Sequence, residues 1–247
     1  VFERRTATIQ GGHSDLRATC VGEQGFDLDC ENGDPRNLVS LAEQTALSHL
    51  VPTWIDYVEN RKAYLDEVCE LHGCDESVAK RLPNVVGNGG TWGTWLRDNE
   101  LKPPFEGSKA FQGKRCKAFL PPGKCRPGEP SATRELAAIR AELFEHSLFK
   151  AMVEAERERL VREGRKLRRK HDTSLWSLIM QTIEDEVLSI IDRTLFDLGW
   201  DVWALIFDGL IAAPSAARAE PDVDKALAAA QAACVSHLIS LRVFSAE

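Results

Sequence analysis

Val202-Trp203-Ala204-Leu205-Ile206-Phe207-Asp208-Gly209 is an apolar run closed by an aspartate and a glycine, and its reading decides the fold. β-Branched and aromatic residues before Asp-Gly predict a strand from Val202 to Phe207, a turn at Asp208-Gly209 and an antiparallel partner from Leu210 to Ala213. Far upstream, Gly25-Phe26-Asp27-Leu28-Asp29 has the same form, an apolar lead-in expected as a strand over residues 24 to 30 and carrying an aspartate near its end. A carboxylate at the tip of a buried strand is costly without a partner, and two of them invite a divalent cation. An aspartate before glycine is also an ordinary hairpin signal, so Asp208 acquires chemical meaning only with a second carboxylate; Asp29 is the candidate. Asp27 lies two residues before Asp29, on the same strand face, and is a reserve ligand.

Helical patterns separate the two stretches. Asp34 as N-cap and Pro35 at the first position predict a helix to about Ala46. Thr53 opens another, with Trp54, Tyr57, Val58, Tyr64, Leu65 and Val68 at helical spacing, ending near His72-Gly73. Asp75 caps the next helix, which contains Pro83 and should kink or end there. Gly87-Asn88-Gly89-Gly90 is a sharp break, and the Pro-, Gly- and Lys-rich residues 101 to 130 are expected as a long loop. Two long helices are predicted over Thr133 to Arg169 and Ser174 to Leu198, the second with an apolar stripe through Leu175, Ile179, Ile183, Val187 and Ile190 and a stop at Gly199. A helix from Val223 to Ala233 and a strand from His237 to Val243 follow. The fold class is therefore α+β, a small antiparallel sheet backed by helices with a helical subdomain inserted. Residues 1–50 and 173–247 carry the sheet, and 51–172 the helical insertion.

With 247 residues, 43% of them hydrophobic, the chain can bury a sizeable core. No apolar stretch reaches the roughly 18 to 20 residues that cross a bilayer, so no membrane partner is expected. Seven scattered cysteines without a CxxC pair argue for reduced thiols in an intracellular compartment, and Cys69, His72 and Cys74 form the one cluster of metal-ligand types. The net charge of −7 hides a basic block: between Arg157 and Lys170 eight Lys/Arg face Glu158 and Glu163, a local charge of +6. Such a block is either a solvated helix face or a phosphate-facing strip. The start at Val1, without a signal peptide and with Glu3-Arg4-Arg5, suggests a piece of a longer protein with further domains upstream.

Asp29-Cys30-Glu31-Asn32-Gly33-Asp34-Pro35-Arg36 resembles motif A of family A DNA polymerases, the DNA polymerase I family, in which Asp is followed five positions later by Glu and seven later by Arg. Asp29, Asn32, Pro35 and Leu38 are closer still to the divergent pattern Asp-x-x-Asn-x-x-Pro-x-x-Leu of polymerase-like proteins from large DNA viruses and unicellular eukaryotes. Motif B is similar to Lys80 followed at the family's offsets by Asn88-Gly89, with a departure at Glu76, where the family has Arg. The helix carrying Gln181 directly before the Phe207-Asp208-Gly209 hairpin resembles the family's Gln helix and motif C, whose third acidic residue is here Gly209.

The resemblance, over about residues 25 to 215, implies a palm-like sheet and a fingers-like helical subdomain. It implies template-directed DNA synthesis with two Mg²⁺ ions on Asp29 and Asp208, and primer-template DNA and deoxynucleoside triphosphates as partners. Lys80, Asp34, Arg36, Asn88 and Gly89 would meet the nucleotide. Gln181, Arg165, Lys166, Arg168 and Arg169 would meet DNA. A palm that has lost its chemistry and binds nucleic acid or a replication partner is the alternative.

Overall fold

The computed structural model describes residues 26–29, 33–103, 113–120, 131–164, 169–206, 209–215 and 223–237. The chain divides into two compact units, one of residues Val1–Gly33 and Thr182–Glu247, the other of Asp34–Gln181. Among the described residues no helix is long and apolar enough to cross a membrane.

The first unit holds the sheet, and the architecture is α+β. Strands β1 (Phe26–Asp29), β2 (Trp200–Ile206) and β3 (Gly209–Pro214) are antiparallel in the order β1-β3-β2. Central β3 is buried from Gly209 to Ala213, on both of its faces. Phe26, Leu28, Trp200, Val202, Leu210 and Ala212 pack with Leu188, Ile191 and Leu195 of the long helix α9 (Arg169–Asp197) and with Val223 and Ala226 of α10 (Val223–His237). Phe26 meets Trp200 edge to face at 5.5 Å.

The predicted hairpin forms with two adjustments. Ile206 pairs with Gly209, so Gly209, expected in the turn, is instead the first residue of β3, and Phe207 and Asp208 lie outside the described residues. Val202 and Ala204 pair with the consecutive residues Ala212 and Ile211, which leaves Trp203 as a bulge, 51% exposed. Gly199, at φ 86, ends α9 as its sequence suggests. Helix α10 runs four residues past the expected Ala233, and the strand expected after His237 lies outside the described residues.

The second unit is helical. Helix α1 (Gly33–Gln44) starts one residue before Asp34, so Asp34 and Pro35 stand inside the first turn instead of at the cap and first position; a proline there removes only an N–H that has no intrahelical partner. The helix expected from Thr53 to His72 is two, α2 (Pro52–Glu59) and α3 (Arg61–His72), broken at Asn60, whose side-chain amide donates to Asp56 O at 3.2 Å and Asp56 Oδ1 at 2.8 Å. Gly73, at φ 63, ends α3. Asp75 caps α4 (Glu76–Ala79), its Oδ1 accepting from Val78 N at 2.9 Å. Pro83 divides the expected helix: α4 stops at Ala79, the residue four before the proline, and α5 (Arg81–Gly87) begins beyond Lys80.

Other helices follow from packing. Thr91 caps α6 (Trp92–Asp98), and the buried Trp95 donates to Val78 O at 3.0 Å. Within the expected loop 101–130, a 3₁₀ turn at Arg115–Phe119 drives Phe119 into an aromatic cluster with Trp54, Tyr57 and Tyr64, at centroid separations of 5.4 to 5.8 Å. That stretch is therefore partly core. The long helix expected over Thr133 to Arg169 breaks at His146–Phe149 into α7 (Ala132–Glu145) and α8 (Lys150–Arg162), and α9 starts at Arg169, before the expected Ser174. Glu135 of α7 caps α2 from 82 residues away, accepting from Thr53 N at 2.8 Å and from the Thr53 hydroxyl. Its burial raises the carboxyl pKa against the pull of those hydrogen bonds.

Candidate functional site

Antiparallel pairing sets Asp29 opposite Gly209 and Asp27 opposite Ile211. Phe26 and Leu28 join the hydrophobic core, so by the two-residue period of a strand Asp27 and Asp29 take the alternate positions. Gly209 follows Asp208 directly in the chain, and the strand carrying Asp29 is thereby paired with the strand that leaves Asp208. Asp208 lies outside the described residues.

In the helical unit, two residues that the sequence places 54 apart meet. Asn88 Nδ2 donates to Asp34 Oδ2 at 3.0 Å and to Asn84 O at 3.0 Å. A paired helix stop positions this contact. Gly90 N donates to Val85 O at 2.8 Å and Gly89 N to Val86 O at 2.9 Å, the two crossed bonds of a Schellman motif with Asn88 as C-cap. Gly89 supplies the left-handed residue at φ 82. Gly90 is required by space: a Cβ there would lie 2.7 Å from Val85 Cγ1 and 2.8 Å from Val85 O. Trp176, buried on α9, fixes the end of α5 by donating to Gly87 O at 2.8 Å.

Lys80 is exposed at the junction of α4 and α5, in right-handed helical conformation but outside both helices, where the sequence pattern predicts a place on a regular helix. Glu76 is exposed in the first turn of α4, and Arg36 is exposed on α1. Gln181 is exposed on α9, its amide 3.4 Å from Ser177 Oγ. It shares an open groove of about 430 Å³ with Glu156, Arg159, Thr173, Ser174 and Ser177.

In the described part of the basic block two arginines are paired with glutamates. Arg159 bonds Glu156 at 2.6 Å and Glu163 at 2.5 Å, which raises its already high pKa, and Arg157 reaches Glu145 at 3.8 Å. Arg169 opens α9; Arg165, Lys166 and Arg168 lie outside the described residues. Among the described residues no group of three His, Cys, Asp or Glu side chains is arranged to hold a metal. In the cysteine cluster, burial holds the Cys69 and Cys74 thiols protonated, Cys74 up to about 11, and the His72 ring packs 5.0 Å from Trp95 and 5.8 Å from Trp92.

Sequence reading overlooked Arg140. It occupies a half-buried position on α7, in register with buried Leu136, Ile139 and Leu143. Its Nη1 and the Thr173 hydroxyl border the side of Gly89 that a Cβ would occupy, at 3.4 and 3.3 Å from that point. A charged residue on an otherwise apolar helix face is the signal that was available.

No protein-family model, no curated protein and no solved structure matches the chain.

Proposed function

We propose that the chain is the palm and fingers portion of a template-directed DNA polymerase. The observation that carries this reading is the register of the sheet: Asp29 on β1 is paired with Gly209, the residue after Asp208, in a three-stranded antiparallel sheet backed by helices. Asp29, Asp208 and Asp27 offer hard carboxylate oxygens, the donor type that Mg²⁺ takes. Two Mg²⁺ ions bound there would supply a more acidic primer 3′-hydroxyl and charge neutralisation on the departing pyrophosphate.

The remaining assignments rest on the resemblance. Lys80 balances charge on the triphosphate, and Asp34, where the family has its sugar-discriminating Glu, shares its carboxylate with Asn88. That bond gives the nucleotide-facing pair a fixed geometry, because the Asn88 backbone is held by the helix stop. Gln181 and the basic residues Arg165 to Arg169 contact primer-template DNA.

A second reading, a palm-like module that binds nucleic acid without chemistry, is favoured by Glu76, a carboxylate where the family grips triphosphate with Arg. Mg²⁺-dependent primer extension decides between them. The polymerase reading expects extension by the parent and its loss in Asp208→Asn with DNA affinity largely kept. Equal extension by parent and variant removes Asp208 from catalysis. DNA binding without any extension by the parent selects the second reading.

A further inference from the structure

We infer that Cys69 and Cys74 form a dithiol that closes to a reversible disulfide across the helix stop at Gly73. The stop brings them together. Gly73, at φ 63, donates its N–H to Cys69 O at 2.8 Å, and a left-handed stop of this kind folds the residue after it back over the last helical turn. Cys74 is that residue, and its thiol donates a hydrogen bond to the Cys69 sulfur. Each position is held from outside the pair, Cys69 by α3 and Cys74 by the adjoining Asp75, whose side chain caps α4. Both are half-buried, which leaves them open to a small molecule. The other described cysteines lack this arrangement: Cys116 is buried on Glu67, and Cys234 belongs to the other unit. His72 packs against Trp92 and Trp95, and among the described residues no third ligand completes a metal site, so the sulfur pair is left to disulfide chemistry.

The oxidant is a low-molecular-weight disulfide. Cys69, whose sulfur accepts the hydrogen bond, gives its proton to solvent and attacks one sulfur of that disulfide, whose S–S bond breaks as a small thiolate leaves. Cys74 then loses its proton, attacks the Cys69 sulfur and expels the second small thiolate. Two hydrogens leave the protein, and the small disulfide becomes two thiols. Burial pushes both cysteines up, Cys74 to about 11, so the pair rests as protonated thiols and exchanges slowly at neutral pH; the equilibrium, and not the rate, is what the fold favours. Closure ties the end of α3 to the cap of α4, a four-residue helix too short to hold by its own hydrogen bonds. Both residues lie in the helical unit, and neither belongs to the proposed polymerase site.

The test equilibrates the whole chain in buffers of reduced and oxidised glutathione, traps it with acid, alkylates the remaining thiols and digests it with trypsin. Cleavage after Lys62 and Lys80 releases Ala63–Lys80, which holds Cys69 and Cys74 and no other cysteine, so mass spectrometry reads the pair in one peptide. Under oxidising ratios that peptide should lose two hydrogens and carry neither an alkyl group nor glutathione. Its equilibrium constant with glutathione should be at least about tenfold larger in the folded chain than in urea, because the helix stop holds the sulfurs together only when folded. In Cys69→Ser and in Cys74→Ser the same peptide should instead carry one glutathione. Equal constants for the folded chain and the chain in urea overturn the proposal. So does a peptide that keeps both thiols, or gains glutathione without the internal bond, at oxidising ratios where tryptophan fluorescence still reports the fold.

Discussion

Alanine at Gly73, Gly90 and Gly89 separates two costs that the Asn88 turn combines. Gly73 adopts φ +63, and nothing lies within 4 Å of the point an added methyl group would occupy, so Gly73→Ala carries backbone strain alone, about 1 kcal/mol. Gly90 is not among the positive-φ residues, so its cost is steric. An added Cβ would meet Val85 Cγ1 at 2.7 Å and the Val85 carbonyl oxygen at 2.8 Å. The Cγ1 methyl can swing away; the carbonyl cannot, because it accepts the Gly90 N–H of the same turn at 2.8 Å. Relieving the clash therefore breaks that bond, about 1 kcal/mol, and adds overpacking of about 1 to 3 kcal/mol, for a total of about 2 to 4 kcal/mol. Gly89→Ala joins strain at φ +82 to a tight contact with Thr173 Cγ2 at 3.2 Å and falls between them, at about 1 to 2 kcal/mol. Urea unfolding followed by tryptophan fluorescence reads the series, since Trp176 is bonded to Gly87 at the end of the same helix. A Gly90→Ala variant no less stable than Gly73→Ala would refute the close approach on which the turn is built.

Burial holds the His72 pKa below its ordinary 6.5, so the folded state binds fewer protons than the unfolded one there. Its contribution to stability is full above pH 6.5 and is lost as pH falls through the folded pKa; the difference in stability between parent and His72→Phe, measured from pH 7.5 to 5, should shrink over that window, and a pH-independent difference would contradict the assignment. For Glu135 the sign reverses. Burial raises its pKa above 4.5, so its contribution falls as pH rises from 4.5 through the folded pKa, and Glu135→Gln should flatten that slope in urea titrations. Glu135→Ala, which leaves the Thr53 N–H and hydroxyl without their acceptor, should cost about 2 to 3 kcal/mol at pH 7; a loss below about 0.5 kcal/mol would show that water replaces the carboxylate freely.

Elements set by local chemistry could be read from the chain. The hairpin, the β1 strand, the Asp75 cap and the glycine stops at Gly73 and Gly199 all follow from residue types whose preference acts within a few positions. Breaks at Asn60 and at His146–Phe149 were hidden, because apolar periodicity continues across them while side-chain hydrogen bonding ends the helix. The 3₁₀ turn with Phe119 was hidden for the opposite reason: its surroundings look like loop, and only the aromatic cluster it joins makes it core. The candidate site divides in the same way. A strand aspartate beside an Asp-Gly hairpin is visible from pattern, but the Asn88–Asp34 bond and the approach of Arg140 to the Gly89 turn depend on which helices pack together. Spacing within one helix does not encode that.

Pairing of β1 with β3 joins residues roughly 180 positions apart, whereas β2 and β3 are joined across only Phe207 and Asp208. Closing a flexible loop of that length costs about 4 to 5 kcal/mol by polymer scaling, before any contact rewards it. Contact order therefore predicts that the hairpin and the helix before it form early and that the β1 strand is captured late. The pairing that sets Asp29 opposite Gly209 belongs to that late step. A chain interrupted anywhere before Gly209 keeps Asp29 but never gains the strand that gives it a neighbour.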